Sequence, residues 1–369
     1  MRILLLAGEE SGVMYAERIA EALREKRPAV EIRGYGDYGF RTGDLAVMGL
    51  GQVLRRIFYF LGVKRTMERA IDEWKPDVVC TVDYPGLNLK LAAYAKRRGL
   101  RTVHVVCPQV WAWKKGRIPK IEAALDKLCC FFPFEPALFK SGFAEFVGHP
   151  LVDEMQDSAA KGRKEGAEKV LAVLPGSRIG EIEKHMPVLL DVINSLCAPS
   201  APLCGKIKVV IPAANDKAYS KITSILDSSL IPHPPSLCVT HGGARAALRD
   251  ADAAVVASGT ATLEAALAGC PTVLVYKVGW LFALLARRFI KGIRHIGLAN
   301  IIAEKAGRQC PMPELLQEDF TAKKVLAVLR PLLEREEANA IARALLNETM
   351  KLLRSDGGAI ARIADRVLG

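Results

Sequence analysis

The sequence predicts an α/β chain built as two doubly wound parallel-sheet domains of similar size, with additional helices at the C-terminal end. Three observations lead there. The chain has 369 residues, 50% of them hydrophobic, which suits two cores of ordinary domain size better than one. Short runs rich in Val, Ile and Leu alternate with longer amphipathic stretches, as strands do when crossover helices cover both faces of a parallel sheet. The series occurs twice, and a polar, charged stretch over 156–169 separates the two halves.

The first series places strands at 3–7, 78–82, 102–107 and 127–132. The second places them at 170–174, 207–211, 237–240, 253–257 and 272–276. These series define an N-terminal domain over 1–160 and a C-terminal domain over 161–344. Beyond about residue 321, Leu326, Leu329, Leu332 and Leu333 recur at helical spacing, and the rest of the chain reads as helix. The last helix, about 345–369, is expected to cross back to the first domain.

A formal net charge of +12 favours anionic partners: nucleotides, phosphorylated sugars or an acidic lipid surface. The basic residues are spread over both halves without a basic arm or an RNA-binding motif, so nucleic acid is not an expected partner. Nine cysteines form no CxxC pair and no metal-ligand spacing, which fits a reducing cytoplasm. The apolar start, Met1 to Ala7, is too short for a signal-peptide core. No later stretch reaches the roughly 18 uncharged apolar residues of a spanning helix.

Ligands bind parallel sheets where strands end and helices begin, and four such loops stand out. Gly8-Glu9-Glu10-Ser11-Gly12 follows the first strand; it is either a tight turn or a backbone cradle at a helix start. Asp83, in Thr81-Val82-Asp83-Tyr84-Pro85-Gly86-Leu87-Asn88, stands where a general base would face a ligand, or where a helix N-cap would. Pro175-Gly176-Ser177-Arg178 sets a glycine turn, a hydroxyl and an arginine at a helix start, a fit for a diphosphate. Ser258-Gly259-Thr260 would present donors to phosphate, with Glu264 one turn on for ribose hydroxyls; a solvated glutamate on a plain capped helix is the alternative. Asp250-Ala251-Asp252 copies the DxD of metal-dependent sugar-nucleotide enzymes, but it closes one helix and opens a strand. No metal and no other cofactor is therefore expected.

Beyond single loops, a set of motifs runs in order along the chain: Gly8-Glu9-x-Ser11-Gly12, Leu45 to Gly49, Lys75-Pro76-Asp77, Asp83-x-Pro85-x-x-Asn88, Pro108-x-Val110-Trp111-Ala112-Trp113, Phe132-Pro133-Phe134-Glu135, Gly148-His149-Pro150, Pro175-Gly176-Ser177-Arg178, Ala257 to Glu264, and Asn300 with Pro313-Glu314-Leu315-x-Gln317. In this it resembles lipid-A-disaccharide synthase, and it departs from that family's pattern at Val13, Gly86 and Ala299. The resemblance implies a GT-B fold, two Rossmann-like domains facing a cleft, and an inverting transfer of 2,3-diacylglucosamine from UDP to 2,3-diacylglucosamine 1-phosphate (lipid X). It assigns Asp83 as base, and Gly8, Glu9, Ser11, Gly12, Asn88, Trp111 and Trp113 to the acceptor side. It assigns Ser177, Arg178, Ser258, Gly259, Thr260, Glu264, Asn300 and Gln317 to the nucleotide sugar.

Acylated substrates lie in a membrane, so an apolar and cationic segment is expected to reach it. Val53, Leu54, Ile57, Phe58, Phe60 and Leu61 beside Arg55 and Arg56 suit an anionic headgroup layer. The segment 280–291 has the same character. A peripheral cytoplasmic protein, monomer or homodimer, is the expectation. Other readings of the same residues are a peptidoglycan N-acetylglucosaminyltransferase-like enzyme, a UDP-sugar epimerase, or a non-catalytic nucleotide-binding protein.

Overall fold

The fold is a computed structural model that describes residues 1–8, 10–40, 53–112, 115–155, 168–228, 234, 236–279 and 294–369, with the backbone alone for 10, 11 and 53–58. The chain divides into two compact units: Met1–Asp153 together with Leu353–Gly369, and Glu154–Leu352.

In the first unit the strands are β1 (Arg2–Ala7), β2 (Glu31–Arg33), β3 (Val78–Val82), β4 (Arg101–Val105), β5 (Lys127–Cys130) and β6 (Ala144–Phe146). They form one parallel sheet in the order β2-β1-β3-β4-β5-β6. Helices α1 (Glu10–Lys26), α2 (Val53–Trp74), α3 (Pro85–Lys96) and α4 (Ile118–Ala124) lie between successive strands, and α5 (Pro150–Met155) follows β6 and runs past the division at Asp153. Side chains alternate across a strand, and both sides of these strands are apolar. Ile3, Leu5, Cys80, Val82 and Val103 join Ile19 and Leu23 of α1 in one core. Leu4, Leu6 and Val79 join Met67 and Ile71 of α2 and Leu91 of α3 in another.

The second unit holds β7 (Lys169–Leu174), β8 (Ile207–Ala213), β9 (Leu237–His241), β10 (Ala253–Ala257), β11 (Thr272–Tyr276) and β12 (Glu314–Leu316). Its sheet, also parallel, has the order β12-β11-β10-β7-β8-β9. Helices α6 (Ile179–Cys197), α7 (Asp216–Asp227), α8 (Ala244–Asp250), α9 (Thr260–Leu267), α10 (Leu298–Lys305), α11 (Ala322–Glu334) and α12 (Glu336–Met350) belong here. The last helix, α13 (Ala359–Leu368), packs in the first unit: Ile363, Ala364 and Val367 share the core of α1. The returning chain is pinned where it arrives, since His149 N donates to Leu353 O at 3.0 Å and Ser355 Oγ to Val147 O at 2.6 Å.

Every run expected to be a strand is one, several ends shifting by a residue or two and two of the runs ending short. The run 102–107 stops at Val105 because Val106 has φ 76, a left-handed conformation that breaks the pleat and that a β-branched residue rarely adopts. The run 127–132 stops at Cys130. Three strands were not anticipated: β2, β6 and β12, each of 3 residues. Each is a sheet edge, half exposed and too short for an alternating pattern to register.

Strand order makes one place in each sheet special. From β1 the chain moves outward to β2, then returns to lay β3 on the other side of β1; from β7 it moves outward through β8 to β9, then returns to lay β10 on the other side of β7. Helices leave such neighbouring strands in opposite directions and open a crevice at their carboxyl ends. The segments there are Gly8 with the start of α1, and Asp83 and Tyr84 with the start of α3, in the first unit, and 175–178 and 258–260 in the second.

Candidate active site

In the first unit the β1 and β3 loops touch. A Cβ on Gly8 would lie 2.5 Å from Tyr84 Cδ1, so only glycine lets the Tyr84 ring close over that turn. Gly12, in the first turn of α1, is within contact of Asp83: its Cβ would stand 3.7 Å from Asp83 Cβ. Asp83 and Tyr84 have φ of 51 and 50, two consecutive non-glycine residues in the left-handed region, each costing about 1–3 kcal/mol. Pro85, with its preset φ, then starts α3.

Asn88 holds this strained turn from beneath. It is fully buried; its Nδ2 donates to the carbonyls of Leu6, Val82 and Asp83 at 3.2, 3.1 and 2.8 Å. Its Oδ1 accepts from Tyr35 OH at 2.7 Å. The amide grouped with the acceptor residues is thus spent within the chain. The Asp83 carboxyl is half-buried, and burial raises its pKa above the usual 3.8, partly offset by the Tyr84 backbone N–H.

Along the same sheet edge, the loops after β4 and β5 form an aromatic cluster. Trp111 stands edge-on to Phe134 and Phe132 stacks on Phe134. Glu135 lies beneath, 1% exposed, accepting from Trp111 Nε1 at 3.2 Å and Phe132 N at 3.1 Å. Burial pushes its carboxyl up to about 8. Glu135, missed as a site residue in the sequence, is what orients Trp111; its place beside Phe132 and Phe134 in a shared motif was the available signal. Glu135 with Cys107 and Cys130 is a group of metal-ligating atoms, all within 4.8 Å of one another. It is buried, and hydrogen bonds already occupy its carboxylate.

In the second unit Ser177 and Arg178 are exposed at the start of α6, and Arg178 Nη1 donates to Glu181 Oε1 at 3.3 Å. Gly176 has φ 118, and a Cβ there would meet Glu181 Oε2 at 2.7 Å, so the turn is tight against the first turn of the helix. Ser258 is half-buried, Gly259 and Thr260 are exposed, and they lead into α9. Glu264 accepts from Arg245 Nε at 2.9 Å, while Arg245 Nη1 donates to Glu154 Oε2 at 2.7 Å. Arg245, at the start of α8, was not anticipated.

Gln317, half-buried just past β12, has φ 53, another strained residue at a carboxyl edge. Asn300 resembles Asn88. It is fully buried, its Nδ2 donating to Met312 O and Glu314 Oε1 at 2.7 and 2.8 Å, its Oδ1 accepting from Met312 N at 3.0 Å. It braces the approach to β12. Asp252 accepts from Val170 N at 2.7 Å at the amino ends of β7 and β10, the edge opposite the loops above. That bond gives Asp252 of the DxD-like pair a structural role.

Of the membrane-facing expectation, Phe60 packs against the β1–α2 core and lies 6.3 Å from Tyr84 ring to ring, while Leu61 is 43% exposed. The side chains of Ser11, Val53, Leu54, Ile57 and Phe58, and all of Glu9, Leu45 to Gly49, Trp113 and 280–291, lie outside the described residues. No helix among the described residues is long and apolar enough to cross a membrane.

Comparison with known proteins extends this geometry. The family model described as lipid-A-disaccharide synthetase matches residues 3–359. The lipid-A-disaccharide synthase of Syntrophus aciditrophicus is 35% identical, covering 89% of this chain and 88% of that protein. Among solved structures, the glycotransferase of kitacinnamycin has a TM-score of 0.63 at 16% identity, covering 99% of this chain and 98% of that one. The UDP-GlcNAc 2-epimerase of Neisseria meningitidis bound to UDP-GlcNAc has a TM-score of 0.61 at 11% identity, covering 100% and 99%. A transferase and an epimerase thus share the fold, which alone does not choose between them; the sequence family does. The chain therefore belongs to the lipid-A-disaccharide synthase family, GT-B glycosyltransferases of lipid A biosynthesis.

Proposed function

We propose that the protein transfers 2,3-diacylglucosamine from UDP to the 6-hydroxyl of 2,3-diacylglucosamine 1-phosphate, with inversion at the anomeric carbon. The β(1→6) disaccharide 1-phosphate and UDP are the products. The observation that carries this reading is Asp83: a half-buried carboxyl with a raised pKa, held in a strained turn at the strand-order reversal of the first sheet.

An inverting displacement needs one base and no second carboxylate to form a covalent sugar intermediate. Asp83 takes the proton of the acceptor hydroxyl as its oxygen bonds to the anomeric carbon, and the bond to the diphosphate breaks with its electron pair leaving on UDP. The developing charge on UDP is met by Arg178, Ser177 and the backbone donors at the starts of α6 and α9, which include Ser258, Gly259 and Thr260. Glu264, steered by Arg245, takes the ribose hydroxyls, and Gln317 contacts the sugar. Trp111, set by Glu135, lines the acceptor side. Access to acylated substrates comes from peripheral contact of α2 with the anionic inner face of the cytoplasmic membrane.

Mass spectrometry of products after incubation with UDP-2,3-diacylglucosamine and lipid X tests the reaction. A disaccharide 1-phosphate from acylated donor and none from UDP-GlcNAc is expected; conversion of UDP-GlcNAc alone to a stereoisomer of equal mass, read by nuclear magnetic resonance, would favour the epimerase reading. Asp83→Asn should lower turnover about 10²- to 10⁴-fold while UDP still binds.

A further inference from the structure

One buried polar residue of the second unit has no place in the scheme above. His185 lies in α6, 0% exposed, with its ring against Tyr276 and Phe320, both at 5.6 Å. Its Nδ1 is 2.7 Å from Pro175 O, and its Nε2 accepts from Lys277 N at 3.0 Å. Because Nε2 accepts, the proton sits on Nδ1 and is donated to Pro175 O; the imidazole is neutral with one tautomer.

The two partners identify what this ring joins. Pro175 opens the loop after β7 that carries Gly176, Ser177 and Arg178; Lys277 opens the loop after β11. In the sheet β10 lies between β7 and β11, so His185 ties together the loops on either side of Ser258-Gly259-Thr260. A leucine or phenylalanine would fill the same space among Tyr276 and Phe320. Packing alone therefore does not call for histidine, whereas bracing two backbone groups of opposite polarity does.

We propose that His185 is a positioning residue for the donor diphosphate, a neutral strut that sets the 175–178 turn against the β11 loop so that its backbone donors and Arg178 converge on the phosphates. This rests on the reading that the turn binds the diphosphate. Phosphates beyond the first should then depend on His185, and the nucleoside should not.

Calorimetry of UDP and UMP with the full chain tests it. His185→Phe keeps the ring and removes both hydrogen bonds, and should weaken UDP about fivefold to tenfold with UMP changed less than about twofold. His185→Gln, which can offer one donor and one acceptor across the same gap, should return UDP affinity to within about twofold of the parent. Unchanged UDP affinity in the Phe variant, equal losses for UDP and UMP, or no recovery with Gln would each overturn the proposal. If the Phe variant does not fold, His185→Asn replaces it: Asn keeps the donor to Pro175 but cannot reach Lys277, and affinities equal to those of Gln would overturn the strut. Arg178→Ala in the same titration separates the two ideas. A parent that does not bind UDP, or an Arg178→Ala protein that binds it normally, removes the donor reading and the proposal with it; loss in Arg178→Ala without loss in His185→Phe removes His185 alone.

Discussion

A base that must collect a proton works best where water hydrates it poorly. Burial holds the Asp83 carboxyl above the usual 3.8, and only the deprotonated form can act. With Asp83 as the proposed base, activity should be lost as pH falls through that raised value, and the acid limb of kcat/KM should lie above the range of an ordinary aspartate. A profile whose acid limb sits at or below 3.8 would count against Asp83. Asn88→Ala removes the partner of Tyr35 OH and one donor to the carbonyls of Leu6, Val82 and Asp83. Thermal unfolding should show a loss of about 2–3 kcal/mol, with turnover falling further than UDP affinity. Asp83 was legible as a polar residue directly after a buried strand. The task of Asn88 was not, because it depends on Tyr35, 53 residues away, and a motif does not say whether an amide faces a ligand or its own loop.

At the level of elements, α13 is held to the first sheet by more than apolar burial. Glu145 on β6 accepts from Arg366 Nε at 2.6 Å and from Arg362 Nη2 at 2.9 Å, and chiefly the Arg366 bond lowers its pKa from 4.5 to about 2. A depressed carboxylate stabilises the fold above its unfolded value and stops doing so as pH falls through the folded one. The difference in melting temperature between the parent and Glu145→Gln should thus be full above about pH 4.5 and shrink toward pH 2. A constant difference across that window would show that the pair does not anchor the helix. For α2, Leu61 is an exposed apolar residue of the segment proposed to meet the membrane. Leu61→Ser should reduce cosedimentation with anionic liposomes at unchanged melting temperature; equal cosedimentation would place the membrane contact elsewhere. The buried strands could be read from composition because each must be apolar on both faces. The three-residue edge strands β2, β6 and β12 could not, since a run that short, paired on one side only, imposes little on residues such as Glu31, Glu145 or Glu314, whereas the edge strand β9 is 5 residues long and carries Leu237 and Val239.

For the molecule as a whole, the division at Asp153–Glu154 and Leu352–Leu353 leaves the second unit as one continuous stretch with its own core. Residues 154–352 expressed alone should unfold cooperatively and bind UDP within about tenfold of the full chain. A fragment that folds without binding UDP would mean that the first unit supplies part of the donor site.

What the sequence by itself determined is local. Burial on both faces demands continuous apolar runs, so the strands could be found, and with them the loops that carry Asp83, Arg178 and Ser258-Gly259-Thr260 at their ends. Periodicity is silent about which strand lies beside which. Only the tertiary structure set β3 beside β1 and β10 beside β7, gathering those loops in pairs. It also returned α13 to the first core, gave Glu264 its partner Arg245, and turned Asn88 and Asn300 inward. Each of these outcomes depends on contacts between residues far apart in the chain, where the deciding quantity is how buried polar groups find partners, and no single stretch of sequence encodes that.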